Sequence, residues 1–198
     1  MKWYKYDIRE LSDLEYHKWY SLMSKEKQKR VDRFRFEDDK KRTVTGEMLA
    51  RLAIAEWCSV NPESIKIGEG KYGKPYAVNQ NVKFNISHSG DLVVCAVDSQ
   101  SVGIDIEQIR PLNLSVAKHF CAPDELIYIF NHEPTDTDFV YSEDQDILLR
   151  FFEIWTIKEA IGKCLGSGIV SYDGNTHISN QFYIFDGQYI ITIVSKSF

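Results

Sequence analysis

The stretch VGIDIE at residues 102–107 holds two carboxylates at a spacing that a strand brings together. Strand periodicity sends Ile104 and Ile106 to one face and Asp105 and Glu107 to the other. Like charges one strand repeat apart repel, and in a partly buried site one of them is pushed toward its neutral form. Such a pair calls for a cation. Downstream, in WTIKEAIGK, Glu159 and Lys163 are four residues apart and share a helix face, with Lys158 projecting to the side. An ordinary surface ion pair has the same spacing. This helix, however, is apolar through Phe151, Phe152, Ile154, Trp155, Ile157 and Ile161, so it should be largely buried, where charges need partners. If Glu159 faces the strand of Asp105 and Glu107, the three carboxylates make an oxygen-rich site suited to Mg²⁺, which combines a few carboxylates with water and substrate phosphates. The cation is then a metal.

Phosphate ligands in turn call for basic groups and backbone donors. Lys27 and Arg30 lie three apart on one predicted helix face, Arg42 and Thr43 begin the next helix, and Lys74 sits in a Gly-Lys-Pro turn. Ser87, His88 and Ser89 form a run of donors next to Gly90, where a phosphate could approach the backbone. Plainer readings exist for each: Lys74 as a solvated turn residue, His88 as a turn residue bonding locally.

The elements that must hold these residues follow from periodicity. Residues 3–8 alternate as a strand, Ser12 and Ser24 offer N-caps for two helices, and RTVTGEMLARLAIAEWCSV continues EDDKKR as a longer amphipathic helix that stops before Asn61-Pro62. Strands are expected at 64–67, 83–87, 91–98 and 101–107, separated by Gly, Pro and Asn signals that include YGKPY and SHSGD. After Pro111 come short helices near 114–119 and 123–131, an acidic loop, and the long helix ILLRFFEIWTIKEAIGKCLGSG, ended by glycines. Strands at 178–185 and 189–195, turning at Asp186-Gly187, finish the pattern. The order of helices, a long helix, then strands therefore occurs twice, which suggests two related halves meeting near residue 105.

Composition narrows the partners. A chain of 198 residues can bury a core without disulfides or a structural metal, so stability does not explain the carboxylate pair. A net charge of -5 argues against a general nucleic-acid binder. The four cysteines are scattered, with no C-x-x-C, and are expected to be reduced, mostly buried thiols of a cytoplasmic protein. MKWYKYDIRE is too polar for a signal peptide, and LVVCAV, the longest aliphatic run, is too short to span a bilayer, so no membrane association is expected.

YGKPY, FNISHSGDLVVCAV, VGIDIE and WTIKEAIGKCLGSG, in this order, resemble the 4′-phosphopantetheinyl transferases of the surfactin-synthetase type, as does the upstream SKEKQKRVDRFRFEDDKKRTVTGEMLAR. The resemblance implies an α+β fold built as a pseudo-dimer of two similar α/β halves in one chain. Residues 1–104 would bind the coenzyme A nucleotide and 3′-phosphate, and residues 105–198 would supply metal ligands, catalytic helix and carrier docking. By matching positions it implies Asp105, Glu107 and Glu159 as Mg²⁺ ligands, and Lys27, Arg30 and His88 as contacts of the 3′-phosphate. Arg30 keeps the cation where relatives can have Lys. Thr43, Lys74, Ser87 and Arg42 match positions around the adenosine and its phosphates. Lys163 matches the lysine that reaches the pyrophosphate, and Lys158 adjoins the catalytic glutamate, Glu159.

The implied reaction moves phosphopantetheine from coenzyme A to a serine of an apo acyl or peptidyl carrier protein and releases 3′,5′-ADP, with Glu159 or a metal-bound water as base. The carrier is expected near LSVAKHFCAPDE, and the chain is expected to act as a monomer. Two other readings compete. A metal-dependent nuclease or phosphodiesterase would use similar acids but is disfavoured by the acidic balance; a non-catalytic carrier-binding module is disfavoured by the intact acidic and lysine positions.

Overall fold

The computed structural model describes residues 1–70, 73–166 and 178–196, of which 178–183 by backbone alone. Strand β1 (Lys2–Asp7) is followed by helices α1 (Asp13–Leu22), α2 (Lys25–Asp32) and α3 (Glu37–Cys58). Ser12 closes a full capping box with Glu15, and the Ser24 hydroxyl accepts from the Lys27 amide, so both predicted N-caps form. Short strands β2 (Ile67–Glu69) and β3 (Pro75–Ala77) precede the hairpin of β4 (Lys83–Ser89) and β5 (Leu92–Asp98). The second part holds β6 (Val102–Gln108), β7 (Leu112–Asn113), α4 (Pro123–Phe130), β8 (Tyr141–Ser142), α5 (Gln145–Leu165) and the hairpin of β9 (Ile178–Phe185) and β10 (Tyr189–Lys196).

The doubling is a doubling of topology. One sheet has the order β1-β5-β4 and the other β6-β10-β9, every pair antiparallel. In each, a leading strand pairs with the second strand of a hairpin that follows the long helix. The fold is thus α+β with two similar halves. The expected division between residues 104 and 105 falls inside β6, because β6 pairs with β10 along its whole length; the sheets separate at residues 99–101.

Each half places its long helix on the outer face of its own sheet. In β5, Val93, Cys95 and Val97 pack with Val44, Met48 and Ile54 of α3. Leu92, Val94 and Ala96 pack instead with Ile104 and Ile106 of β6 and Ile191 and Ile193 of β10. A strand buried on both faces has no polar alternation, which is why LVVCAV reads as one apolar run. Each fully buried isoleucine of this middle layer contributes about 1.5–3 kcal/mol relative to exposure, enough in sum to hold the halves at a fixed distance.

Three local expectations change. Residues 64–67 are not one strand: Asn61 accepts from the Glu63 amide with Pro62 at the first position, so Pro62–Ser64 winds as a 3-10 turn and the strand starts at Ile67. The acidic loop contains β8, which pairs with β7. Of the four free thiols, Cys95 and Cys164 are buried but Cys58 and Cys121 only half-buried. The glycine stop of the long helix forms at Gly166, in the left-handed region at φ +75, while Gly168 and the Tyr72 of YGKPY lie outside the described residues. Among the described residues no helix is long and apolar enough to cross a membrane.

Candidate active site

The two halves meet along the edges of β4 and β6, which run side by side without a backbone ladder. Alternate side chains of β4 bridge the gap. Asn85 Oδ1 accepts from the Ile104 amide at 3.1 Å, Ser87 Oγ donates to Asp105 Oδ1 at 2.8 Å, and Ser89 Oγ donates to Glu107 Oε2 at 2.9 Å. Ser89 Oγ also accepts from the Gln108 amide at 3.0 Å. Period-2 alternation thus puts one face of β4 onto the carboxylate face of β6.

Helix α5 closes this seam from above. It can come close because residue 103 is glycine: a Cβ there would collide with the Ala160 carbonyl oxygen and the Cys164 amide. Ile86, Ser87 and His88 of β4, Asp105 and Glu107 of β6, and Trp155, Glu159 and Lys163 of α5 line one cavity of about 340 Å³. Lys163 Nζ donates to Asp105 Oδ1 at 2.5 Å and to Ser87 Oγ at 2.9 Å. Among the described residues Glu107 has no cation within ion-pair distance; its other oxygen, Oε1, accepts from Trp155 Nε1 at 3.2 Å. The cation expected between the two carboxylates is therefore, in this arrangement, the ammonium of Lys163, and it stands on Asp105.

Burial dominates the electrostatics. It holds the carboxyl of Asp105 above the usual carboxylate range against the opposing pull of Lys163. Glu107 is raised by burial first and the Asp105 charge second; Glu159 is raised by burial, with Lys163 acting in the other direction. Asp105 Oδ2 is buried and finds no hydrogen-bond partner among the described residues.

On the other face of β4, Ile86 and His88 continue into a second cavity of about 200 Å³ lined by Lys27, Arg30, Arg42, Thr43, Gly46, Glu47, Glu69, Gly73 and Pro75. Lys27 is held there by Glu47, Nζ to Oε2 at 2.6 Å, and Glu47 also accepts from Arg51 Nε at 2.9 Å. Arg30 Nη1 lies 3.7 Å from Glu69, both exposed. Arg42 Nη1 donates to the Gly90 carbonyl at 2.8 Å, and the Thr43 hydroxyl donates to the Asp39 carbonyl at 2.9 Å. His88, whose surface faces solvent, is held below the ordinary histidine range by the protein packed around it, then by Arg42 and Lys163. The two cavities share Ile86 and His88, so cations line one side of these residues and carboxylates the other.

Two expected site residues point elsewhere. Lys158 is buried with its ammonium 2.9 Å from Glu125 of α4, so it ties two helices together and is not among the residues lining the carboxylate cavity. Its quarter-turn offset from Glu159 accounts for this. Lys74 donates to the Lys163 carbonyl at 2.6 Å, at the C-terminal end of α5 where backbone oxygens lack helical partners. Its neighbours Gly73 and Pro75 line the basic cavity, while its own side chain lines a separate one of about 370 Å³. Conversely, Trp155 and Glu47 take part without having been singled out as site residues, and Ser89, expected as a phosphate donor, instead bonds Glu107. Trp155 could have been found at i−4 from Glu159.

The donor set suits Mg²⁺. Asp105, Glu107 and Glu159 offer hard oxygens, and the orphaned Asp105 Oδ2 is a buried acceptor without a donor. Among the described residues no three such side chains form a gathered ligand cluster, and Lys163 occupies Asp105.

Residues 10–100 match the family described as 4′-phosphopantetheinyl transferase, N-terminal, and residues 101–193 match the 4′-phosphopantetheinyl transferase superfamily. A 4′-phosphopantetheinyl transferase of Bacillus subtilis is 37% identical over 166 residues, covering 83% of this chain and 69% of the relative. One from Bacillus pumilus is 40% identical over 150 residues, 75% of this chain and 60% of its own length. One from Aneurinibacillus migulanus is 37% identical over 149 residues, 75% and 58% respectively.

Proposed function

This chain belongs to the 4′-phosphopantetheinyl transferase superfamily, and we propose that it transfers the phosphopantetheine arm of coenzyme A to a serine of an apo acyl or peptidyl carrier protein, with Mg²⁺, releasing 3′,5′-ADP. The observation that carries the reading is the adjoining pair of cavities: Lys27, Arg30, Arg42 and His88 on one side, Asp105, Glu107, Glu159 and Lys163 on the other. That is the charge pattern suited to a nucleotide with a phosphate at one end and, at the other, a pyrophosphate whose charge a divalent cation would neutralise.

In this reading Lys27, Arg30 and His88 hold the 3′-phosphate, with Lys27 aimed by Glu47. Asp105, Glu107 and Glu159 would hold Mg²⁺, which when bound neutralises pyrophosphate charge and polarises the phosphoryl oxygens. The carrier serine oxygen attacks the β-phosphorus, a P–O bond forms, the bridging P–O bond breaks, and 3′,5′-ADP leaves with the electron pair. Glu159 takes the hydroxyl proton on a carboxylate oxygen. Lys163, already in the cavity, offsets negative charge that grows on the leaving phosphate. The carrier docks near residues 114–125, beside the cavity wall formed by Trp155, whose ring meets Phe120 at 4.7 Å. The protein works as a monomer, since one chain supplies both walls, and its free thiols suit the reducing cytoplasm.

The test is incubation with coenzyme A, Mg²⁺ and a panel of apo carriers, read by intact mass. Holo-carrier should form, and Asp105→Ala and Glu159→Ala should abolish it while remaining folded by circular dichroism. Near wild-type turnover by either variant at saturating Mg²⁺ would refute the metal assignment; no holo-carrier with any carrier would refute the activity.

A further inference from the structure

Glu107 is braced on both oxygens by donors from opposite halves of the molecule. Ser89 Oγ donates to Oε2 at 2.9 Å and Trp155 Nε1 donates to Oε1 at 3.2 Å. The Ser89 hydroxyl has one proton, and because its oxygen accepts from the Gln108 amide at 3.0 Å, that proton is directed at Glu107. Each carboxylate oxygen keeps further lone pairs for a cation.

The brace is itself built. Ser89 ends β4, and Gly90 follows at φ +54, where a Cβ would lie 2.5 Å from Tyr189 Oη and 2.8 Å from Gln108 Oε1. Only glycine fits that turn without displacing Tyr189 and Gln108. Arg42 then fixes the Gly90 carbonyl from α3 at 2.8 Å. Trp155 is equally constrained, edge-on to Phe120 at 4.7 Å and stacked on Phe151 at 6.3 Å.

We infer that Ser89, with Trp155, is a positioning residue that pre-orients the Glu107 carboxylate for the divalent cation. The inference rests on the proposed metal site. Glutamate has several rotatable bonds, and a ligand that must be ordered on binding loses affinity by that amount; hydrogen-bond partners of metal ligands commonly account for 10–100-fold in metal affinity.

The experiment measures the Mn²⁺ dissociation constant by electron paramagnetic resonance in the presence of coenzyme A, for wild type, Ser89→Ala, Ser89→Thr and Trp155→Phe. Ser89→Ala should bind Mn²⁺ roughly 10–100-fold more weakly, with KM for Mg²⁺ raised and kcat recovering at saturating Mg²⁺. Ser89→Thr keeps the hydroxyl and should restore wild-type affinity. Trp155→Phe removes the indole donor while keeping a ring, and should weaken Mn²⁺ in the same direction; it carries the test alone if Ser89→Ala does not fold. Wild-type Mn²⁺ affinity in the alanine variant, or equal losses in the alanine and threonine variants, would overturn the inference and leave the metal site standing. A wild-type chain that binds no Mn²⁺ would instead overturn the metal site, and the inference with it.

Discussion

At the scale of the residue, some groups of the site have their charge stabilised by pairing and others have it opposed by burial. Lys27 belongs to the first kind, since Glu47 fixes its ammonium at the wall of the basic cavity. Lys27→Ala and Arg30→Ala should therefore weaken coenzyme A more than 3′-dephospho-coenzyme A. A charge-assisted phosphate contact is worth about 1.5–3 kcal/mol, roughly ten- to hundredfold. Calorimetry with both ligands checks this, and equal losses for the two would move these residues off the phosphate. Glu107 belongs to the second kind. Burial first and Asp105 second raise its carboxyl above the ordinary range, so ionising it costs more in the folded chain than in the unfolded one. The cost is complete above the raised value, declines as pH falls through it, and is gone below the ordinary value of 4.5. In EDTA, Glu107→Gln should melt a few degrees above wild type at pH 8, with the gap closing as pH drops toward 4.5. A gap independent of pH would contradict a raised Glu107 carboxyl.

At the scale of the element, the decisive contact is the close approach of α5 to β6 over Gly103. Any larger residue there meets helix backbone, which cannot swing aside like a side chain. Gly103→Ala should cost about 1–3 kcal/mol in urea denaturation, the usual range for overpacking. Transfer should fall further than stability does, because the displaced helix carries Glu159 and Lys163 together. A stable variant with full turnover would show that α5 is not held by this contact. Legibility at this scale varied with the physics. Ser12 and Ser24 announced their helices because a cap is a local hydrogen bond. The two-residue strands β7 and β8 carried no periodicity to read, being too short to show any.

At the scale of the whole molecule, the repeat is architectural and the chemistry is not repeated. Asp105 faces the fourth residue of β10, and the corresponding partner of the fourth residue of β5 is Tyr4. Lys163 lies three residues before the left-handed cap Gly166 of α5, and three before the left-handed cap Ser59 of α3 stands Glu56. The first half thus has a tyrosine and a glutamate where the second has the aspartate–lysine pair. One chain should then bind a single coenzyme A, and its activity per milligram should hold on dilution through the nanomolar range while light scattering reports one chain mass. A dimer whose activity disappears on dissociation would contradict a site closed within one chain.

The sequence by itself determined the pieces: which residues share a strand face, which share a helix face, and that helix and strand patterns occur twice. Those are consequences of period 2 and period 3.6, and both are local. It also exposed the conflict of Asp105 with Glu107, because like charges two residues apart on a strand must share a face. What resolves that conflict was decided only by the tertiary structure. Lys163 comes from 58 residues away to meet Asp105, Ser87 from 18 and Trp155 reaches Glu107 from 48. The same packing sends Lys158 to Glu125 and Lys74 to the end of α5, although their neighbours in sequence line the cavities. Such contacts depend on where two sheets and a helix come to rest against each other, and that is set by the sum of many apolar contacts, not by the spacing of any one motif.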